Sequence, residues 1–241
     1  MLRETREILA RFPVRKTRKQ RLDFLTALLS CAKKAGYTGY VERGCLGSMN
    51  LVIGNPEQAQ FLVTADYDTP PGLQLRNSVR VCANLMTFLE ILSSLPKNLQ
   101  DKVCFLLFDG HLTGKIGLAS YRRAHMEAAE RQVVLNLDDV GDGDDLVFCP
   151  NKNFCEDREK MLHLCKCVGR FGSKTIAIRS KSAHGICPNY RGFRYGIGIA
   201  AFRRRKIPAF YCKRHYTEID LTNVNILRAA LISYISSDAA Q

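Results

Sequence analysis

The chain has 241 residues, 46% of them hydrophobic, which is enough for a sizeable core in one large α/β domain or two small ones. No apolar run approaches the roughly 18 residues of a membrane span. The first residues, MLRETREILARFPVRK, carry charges throughout and lack the apolar stretch of a secretory signal. We therefore expect a cytoplasmic protein that makes no membrane contact.

The cysteine pattern argues against a structural metal. Ten cysteines are scattered along the chain, and Cys104 and Cys212 lie in apolar strand-like runs, where cysteine behaves as a small hydrophobe. Cys165 and Cys167 form a C-x-C pair, but no second pair stands at the spacing of a structural zinc site. The pattern predicts reduced thiols and no structural zinc.

The net charge of +13 comes from 36 Lys and Arg against 23 Asp and Glu, and it would suit a polyanionic partner. The densest basic groups are RKTRKQR at 15–21 and RRRK at 203–206. Neither group is interleaved with aromatic residues, and no nucleic-acid-binding motif is present. We interpret both as solvated surface, so a nucleic-acid partner is disfavoured.

Hydrophobic periodicity divides the chain into elements. The first predicted helix begins at the capping box of Thr17 and Gln20 and ends at Gly36. Its apolar residues share one face: Leu22, Leu25, Leu28, Leu29 and Ala32. Further helices are predicted over residues 80–94, 114–130, 157–168 and 221–235. Strands are predicted over residues 40–45, 49–53, 60–65, 102–108, 132–137, 174–179, 196–202 and 209–212.

This alternation of strands and helices predicts the fold. The continuous apolar run KVCFLLF at 102–108 is typical of a central strand that is covered on both faces. Strands that alternate with helices favour a three-layer α/β/α sandwich with a mixed, mostly parallel sheet. No linker, repeat or low-complexity segment interrupts the pattern, so we expect a single domain over residues 1–241.

Polar side chains follow several of these strands at their carboxyl ends. They are Asp66 and Asp68 within QFLVTADYDTPPG, Asp109 and His111, Asp138 and Asp139, and His215. In open α/β sheets this edge is where ligands bind. Carboxylates and imidazoles that meet there could bind a cation. Taken singly, each residue could equally be a strand-end cap.

Four segments carry a likeness to a known family. They are FLVTADYDTPPG, KVCFLLFDGHLTGKIGLASY, VVLNLDDVGDGD, and GIGIAAF followed by RHYTEIDLTNVNIL. The chain resembles the zinc aminopeptidase family of aminopeptidase Y, bacterial leucyl aminopeptidases and glutaminyl cyclases, over about residues 12–235. The resemblance implies a zinc-exopeptidase-like α/β/α domain. It also implies two zinc ions bridged by one Asp, with a Glu as general base.

The resemblance assigns the first half of the site to three positions. The family has A-H-x-D where this chain has ADYD, so the family's zinc-binding His is replaced by Asp66. The Asp of that motif, which supports the ligand without binding metal, is kept as Asp68. The bridging Asp falls near Asn77, where the family's D-N-x-S-G-V pattern is absent.

The second half of the site is also altered. The family's Glu-Glu pair after F-D is replaced by His111, at the general-base position, and Leu112, at a zinc-ligand position. The family's N-x-D is intact and supplies Asp138. The last zinc-binding His matches His215, with one residue of slippage.

These substitutions predict a degenerate metal site. The first zinc position would have Asp66, Asn77 and Asp138, all oxygen donors, which suit a hard cation better than zinc. The second would keep only His215. We therefore expect no tightly bound cofactor, and zinc or another divalent cation only if the site still functions. The favoured hypothesis is a family member that is inactive, or that remains as a protein that binds a peptide or an amine.

Two alternatives remain open on sequence alone. One is a working hydrolase that holds a single cation through Asp66, Asp138 and His215, with His111 as base. The other is a basic module that binds nucleic acid or another polyanion, which rests on net charge alone. Metal analysis and salt-dependent binding to a polyanion distinguish the three.

Overall fold

The computed structural model describes residues 2–68, 75–110, 116–141, 143, 145–168, 175–178, 190, 192–202 and 221–238. Its helices are α1 (Leu2–Arg11), α2 (Arg18–Lys34), α3 (Leu75–Ser94), α4 (Ile116–Ala124), α5 (Met126–Arg131), α6 (Lys152–Glu156), α7 (Arg158–Val168) and α8 (Leu221–Asp238). Its strands are β1 (Gly39–Arg43), β2 (Met49–Ile53), β3 (Phe61–Asp66), β4 (Val103–Phe108), β5 (Val133–Leu137), β6 (Asp145–Pro150), β7 (Thr175–Ile178) and β8 (Tyr195–Phe202).

The eight described strands form one mixed sheet in the order β1-β2-β4-β3-β5-β8-β6-β7. The central pairs β4–β3, β3–β5 and β5–β8 are parallel, as is β6–β7 at one edge. The pairs β1–β2, β2–β4 and β6–β8 are antiparallel. The carboxyl ends of the four central parallel strands therefore lie at one edge of the sheet.

Both faces of the strands β2, β3, β4 and β5 are buried, which confirms the predicted α/β/α sandwich. Alternate side chains of β3 enter different clusters, because successive residues of a strand point to opposite faces. Phe61 and Val63 pack with residues of α2, α3, α7 and α8, whereas Leu62 packs with residues of α4 and α5. Every residue of β4 is buried, as the apolar run at 102–108 predicts.

Helix α2 shows how local signals set the first layer. The Thr17 hydroxyl accepts the backbone N–H of Gln20, and the Gln20 side chain accepts the backbone N–H of Thr17, which confirms the predicted capping box. Leu25 and Leu28 are fully buried. Leu22 is 37% exposed, so its assignment to the buried face is wrong.

Other boundaries differ from the sequence-based expectations. Helix α3 begins at Leu75 instead of residue 80, and the helix predicted over 114–130 is two helices, α4 and α5. Helix α1 and strand β6 were not predicted. The strand predicted over 209–212 lies outside the described residues.

The expectations about the thiols and about membrane spans can be compared with the described part of the chain. None of the eight cysteines that it contains forms a disulfide. Within the same residues, no helix combines the length and the apolar character needed to cross a bilayer.

Candidate functional site

Five aspartates lie at the carboxyl edge of the central strands, and we call this group the carboxylate edge. They are Asp66 at the end of β3, Asp68 just after it, Asp109 after β4, and Asp138 and Asp139 after β5. Asp68 is partly exposed, and the other four are at most 7% exposed. Acidic residues are rarely buried to this extent unless they are paired, so their partners define what the site can do.

Asp66 and Asp138 lie at neighbouring positions on adjacent parallel strands. The register pairs Ala65 with Leu137, one residue before each aspartate. Adjacent strands are about 4.8 Å apart, so the two backbones approach closely here. The Asp138 N–H donates to the Ile199 carbonyl at 2.8 Å and so continues the ladder to β8. Two buried carboxylates in this position need neighbouring donors or cations.

Asn84 of α3 links the ends of β3 and β5. This side chain is fully buried. Its amide nitrogen donates to Asp66 Oδ1 at 3.1 Å, and its amide oxygen accepts the Val140 N–H at 3.1 Å. Asn84 therefore stabilises the Asp66 carboxylate and positions the segment that carries Asp138 and Asp139.

The segment after β5 has an unusual backbone. Asp139 has φ +62°, in the left-handed region that few non-glycine residues adopt, although aspartate is enriched there. Its carbonyl accepts the Ala201 N–H at 2.9 Å. Buried Asn223 of α8 donates to the Val140 and Gly143 carbonyls at 3.4 and 3.5 Å. Contacts from two helices and β8 thus hold this turn in place.

Asp109 has structural partners. Its Oδ2 accepts Arg21 Nη1 at 2.6 Å and the Met49 N–H at 3.0 Å. Burial raises the pKa of Asp109 above its ordinary value, and the Met49 N–H and Arg21 act in the opposite direction. This carboxylate therefore joins α2 and β2 to the end of β4.

A second cation, Arg15, is fully buried between α1 and α2. Its Nε donates to the carbonyl of Tyr67, the residue between Asp66 and Asp68, at 2.6 Å. The interpretation of the run at 15–21 as solvated surface is therefore wrong for Arg15. It is wrong in part for Arg21, which is bound to Asp109. Tertiary contacts with acidic strand ends override the polarity of the run.

The structure brings together part of the predicted site. Asp66 and Asp138 lie side by side at the ends of β3 and β5, and Asp68 follows Asp66 by two residues. Asn77 lies in the first turns of α3, and its side chain is outside the described residues. The remaining predicted site residues are also outside them: His111, Leu112 and His215.

The described donors fit zinc poorly. Zinc sites in proteins are tetrahedral and dominated by nitrogen and sulfur ligands, whereas Asp66 and Asp138 offer only oxygen. One Asp66 oxygen already accepts Asn84, and the Arg15 guanidinium interacts electrostatically with Asp66. Within the described part of the chain, no three His, Cys, Asp or Glu side chains are grouped so that they could hold a metal ion.

Arg15 and Asn84 were missed as site residues by the sequence analysis. Arg15 gives no local signal, because it looks like any other member of a basic run. Asn84 gives a weak one, since it lies three residues after Val81 and four before Phe88, both buried, and so occupies the buried face of α3. A polar residue on such a face needs a buried partner.

Comparison with known proteins identifies the fold. No family model and no curated protein matches the chain. Among solved structures, the Legionella pneumophila LapA aminopeptidase matches 100% of this chain and 71% of its own at 13% identity, with a TM-score of 0.69. Porphyromonas gingivalis glutaminyl cyclase matches 99% of this chain and 98% of its own at 13% identity, with a TM-score of 0.69. Macrostomum lignano glutaminyl cyclase matches 99% of this chain and 91% of its own at 12% identity, with a TM-score of 0.64. The chain therefore has the zinc-exopeptidase-like fold of the aminopeptidases and glutaminyl cyclases, as the sequence motifs predict.

Proposed function

We propose that this protein keeps the fold of the zinc aminopeptidases and glutaminyl cyclases but binds a peptide or an amine at the carboxylate edge without metal-dependent catalysis. The observation that carries this proposal is the environment of Asp66. A buried carboxylate stands where the family has a zinc-binding imidazole, and it is engaged by Asn84 beside a buried guanidinium.

The missing chemistry supports the same conclusion. In the family, metal-bound water is the nucleophile and a Glu relays its proton. Here Leu112 and His111 stand at the positions of a zinc-ligand Glu and of the general-base Glu. A leucine cannot bind metal, and a histidine without metal-activated water has no strong nucleophile to deprotonate. Substitutions at both positions would remove metal binding and the proton relay together.

The charge of the edge favours a cationic ligand. Among the described residues, the edge carries five aspartates, and the guanidiniums of Arg15 and Arg21 interact with three of them, Asp66, Asp68 and Asp109. The group therefore keeps a net negative formal charge, and negative potential in a cleft attracts and orients amines. The free N-terminus of a peptide is an amine of this kind. Asp138, directly after β5, is the side chain that we propose as its principal partner.

Turnover is tested first. Aminoacyl chromogenic substrates are incubated with the protein alone and with added zinc, cobalt or manganese. We expect no measurable release of the N-terminal residue under any condition. Metal-dependent turnover that Asp138→Ala abolishes would show instead that the protein is a hydrolase with a remodelled single-cation site.

Binding is tested with matched ligands. A short peptide with a free N-terminus and the same peptide N-acetylated are compared by calorimetry. The free amine should bind more tightly, and Asp138→Asn should remove the difference. The control is Asp101→Asn, which changes an exposed carboxylate just before β4, at the end of that strand away from the carboxylate edge. This variant should keep the difference in affinity between the two peptides. Equal binding of the two peptides would refute recognition of the amine.

A further inference from the structure

Arg15 is an unusual residue for its place in the chain. It lies in the short segment between α1 and α2, where its neighbours Val14 and Lys16 are exposed, yet it is fully buried. Removing a guanidinium from water costs several kcal/mol unless partners compensate for the lost hydration. Arginine cannot avoid this cost by losing its proton, because it stays charged in proteins. Its burial therefore requires an electrostatic partner.

The contacts of the guanidinium place it beside the carboxyl end of β3. Nη1 donates to the Phe12 carbonyl and Nε to the Tyr67 carbonyl, each at 2.6 Å. The carbon of the guanidinium lies 4.8 Å from the centre of the Phe24 ring, a cation–π distance. Tyr67 separates Asp66 from Asp68, so the cation lies at the part of β3 where two carboxylates emerge.

The electrostatics agree with this geometry. Burial lowers the pKa of the Arg15 guanidinium, and the Cys82 thiol, Asp66 and Asp68 act in the opposite direction. Both carboxylates therefore stabilise the charged guanidinium, and the guanidinium stabilises them in return. A neutral side chain in place of Arg15 would not stabilise the charged carboxylates in this way.

From these observations we propose that Arg15 is the resident cation of the carboxylate edge and stabilises Asp66 and Asp68 in place of a metal ion. Asp66 replaces a neutral imidazole of the family and so adds a negative charge, and Arg15 supplies a positive charge beside it. A divalent ion bound at Asp66 would be repelled by this fixed charge. The inference does not depend on which ligand the edge binds.

The test compares variants that separate charge from hydrogen bonding. Arg15→Lys keeps the positive charge, whereas Arg15→Gln is neutral but can still donate to the Tyr67 carbonyl. Each is made in the parent and in an Asp66→Asn background, and the melting temperatures are measured. Arg18→Gln removes an exposed arginine nearby and is the matched control.

In the parent background, Arg15→Gln should lower the melting temperature by about 10 °C or more, since it leaves a buried carboxylate without its cation. Arg15→Lys should lower it clearly less, and Arg18→Gln should leave it nearly unchanged. In the Asp66→Asn background, the advantage of Lys over Gln should shrink by at least half. If Arg15→Gln is unfolded in the parent, then Asp66→Asn should restore its folding.

Opposite results would overturn the inference. If Lys and Gln are equivalent in the parent, the role of Arg15 is hydrogen bonding or packing. If the advantage of Lys is unchanged by Asp66→Asn, the cation does not act on Asp66. Failure of Asp66→Asn to restore an unfolded Arg15→Gln protein would have the same meaning.

Discussion

Asn84 offers the sharpest structural prediction, because one buried side chain joins two parts of the site. It donates to Asp66 Oδ1 and accepts the Val140 N–H, both at 3.1 Å. Replacing it by alanine removes both bonds and leaves a buried carboxylate oxygen and a backbone N–H without this partner.

The expected loss follows from these two bonds. A hydrogen bond to a charged group contributes about 1.5–3 kcal/mol, and one between neutral groups about 1 kcal/mol. Asn84→Ala should therefore lower the free energy of unfolding by about 3 kcal/mol. For a chain of this length that corresponds to a fall of about 6–12 °C in melting temperature.

Two further variants show whether the bonds are responsible. Thr87→Val, also on α3, removes a buried hydroxyl that donates within the helix to the Ala83 carbonyl, and it should cost far less. Asn84→Asp keeps an acceptor for Val140 but places a second carboxylate against Asp66. That variant should be at least as unstable as Asn84→Ala at pH 7.

Acid pH should distinguish Asn84→Asp from Asn84→Ala. The folded protein should raise the pKa of the new carboxyl, because two adjacent carboxylates cannot both ionise without cost. Stability should then rise as the pH falls through that raised pKa, relative to Asn84→Ala. Thermal and urea unfolding of all four proteins provide the measurement. An Asn84→Ala protein no less stable than Thr87→Val would refute the reasoning.

Three further predictions concern the edge and its supports. Leu112→Glu places a carboxylate where the resemblance puts a zinc ligand but leaves Asp66 and Arg15 in place, so zinc should not raise its melting temperature. With Asp66→His and Arg15→Gln added, zinc should raise the melting temperature, since a ligand that binds only the folded state stabilises that state. Burial raises the pKa of Asp109, so the contribution of this group to stability is complete below about pH 4 and is lost as the pH rises through the raised pKa. Between pH 4 and pH 7 the melting temperature of the parent should therefore fall relative to that of Asp109→Asn. Thr17→Ala removes the capping box of α2 and should cost about 1 kcal/mol, or a fall of about 2–4 °C in thermal unfolding.

The elements that the sequence predicted well are those with strong local signals. Strands β2, β3, β4 and β5 are short apolar runs bounded by polar or turn residues, and helix α2 has both a capping box and an apolar stripe. In these segments, burial and local propensity agree. The order of the sheet could not be obtained in this way, since it depends on contacts between residues distant in sequence.

The missed elements have weak or conflicting signals. Helix α1 is rich in charged residues, and Leu9 packs it against the core. Strand β6 follows the sequence GDGD and ends at Pro150, so its apolar run is short and is flanked by residue types typical of loops. Helix α3 begins within LRNS, a polar stretch with no capping signal.

The sequence predicted the acidic residues of the candidate site but not the groups that stabilise them. Acidic residues after apolar strands indicated the edge, and the structure brings Asp66 and Asp138 to it. The groups that stabilise these carboxylates could not be predicted, since Arg15 lies 51 residues from Asp66 in the chain. Such pairings follow from tertiary structure, which local sequence patterns do not contain.

The most direct test of the central claim is the zinc content of the purified protein. The protein is prepared without chelator, dialysed against metal-free buffer and analysed for zinc per chain. Because the resemblance places Asp66 at a histidine-ligand position and Leu112 at a glutamate-ligand position, and Arg15 lies beside the edge, we predict well under one zinc per chain. Two equivalents of zinc that survive dialysis would contradict the account.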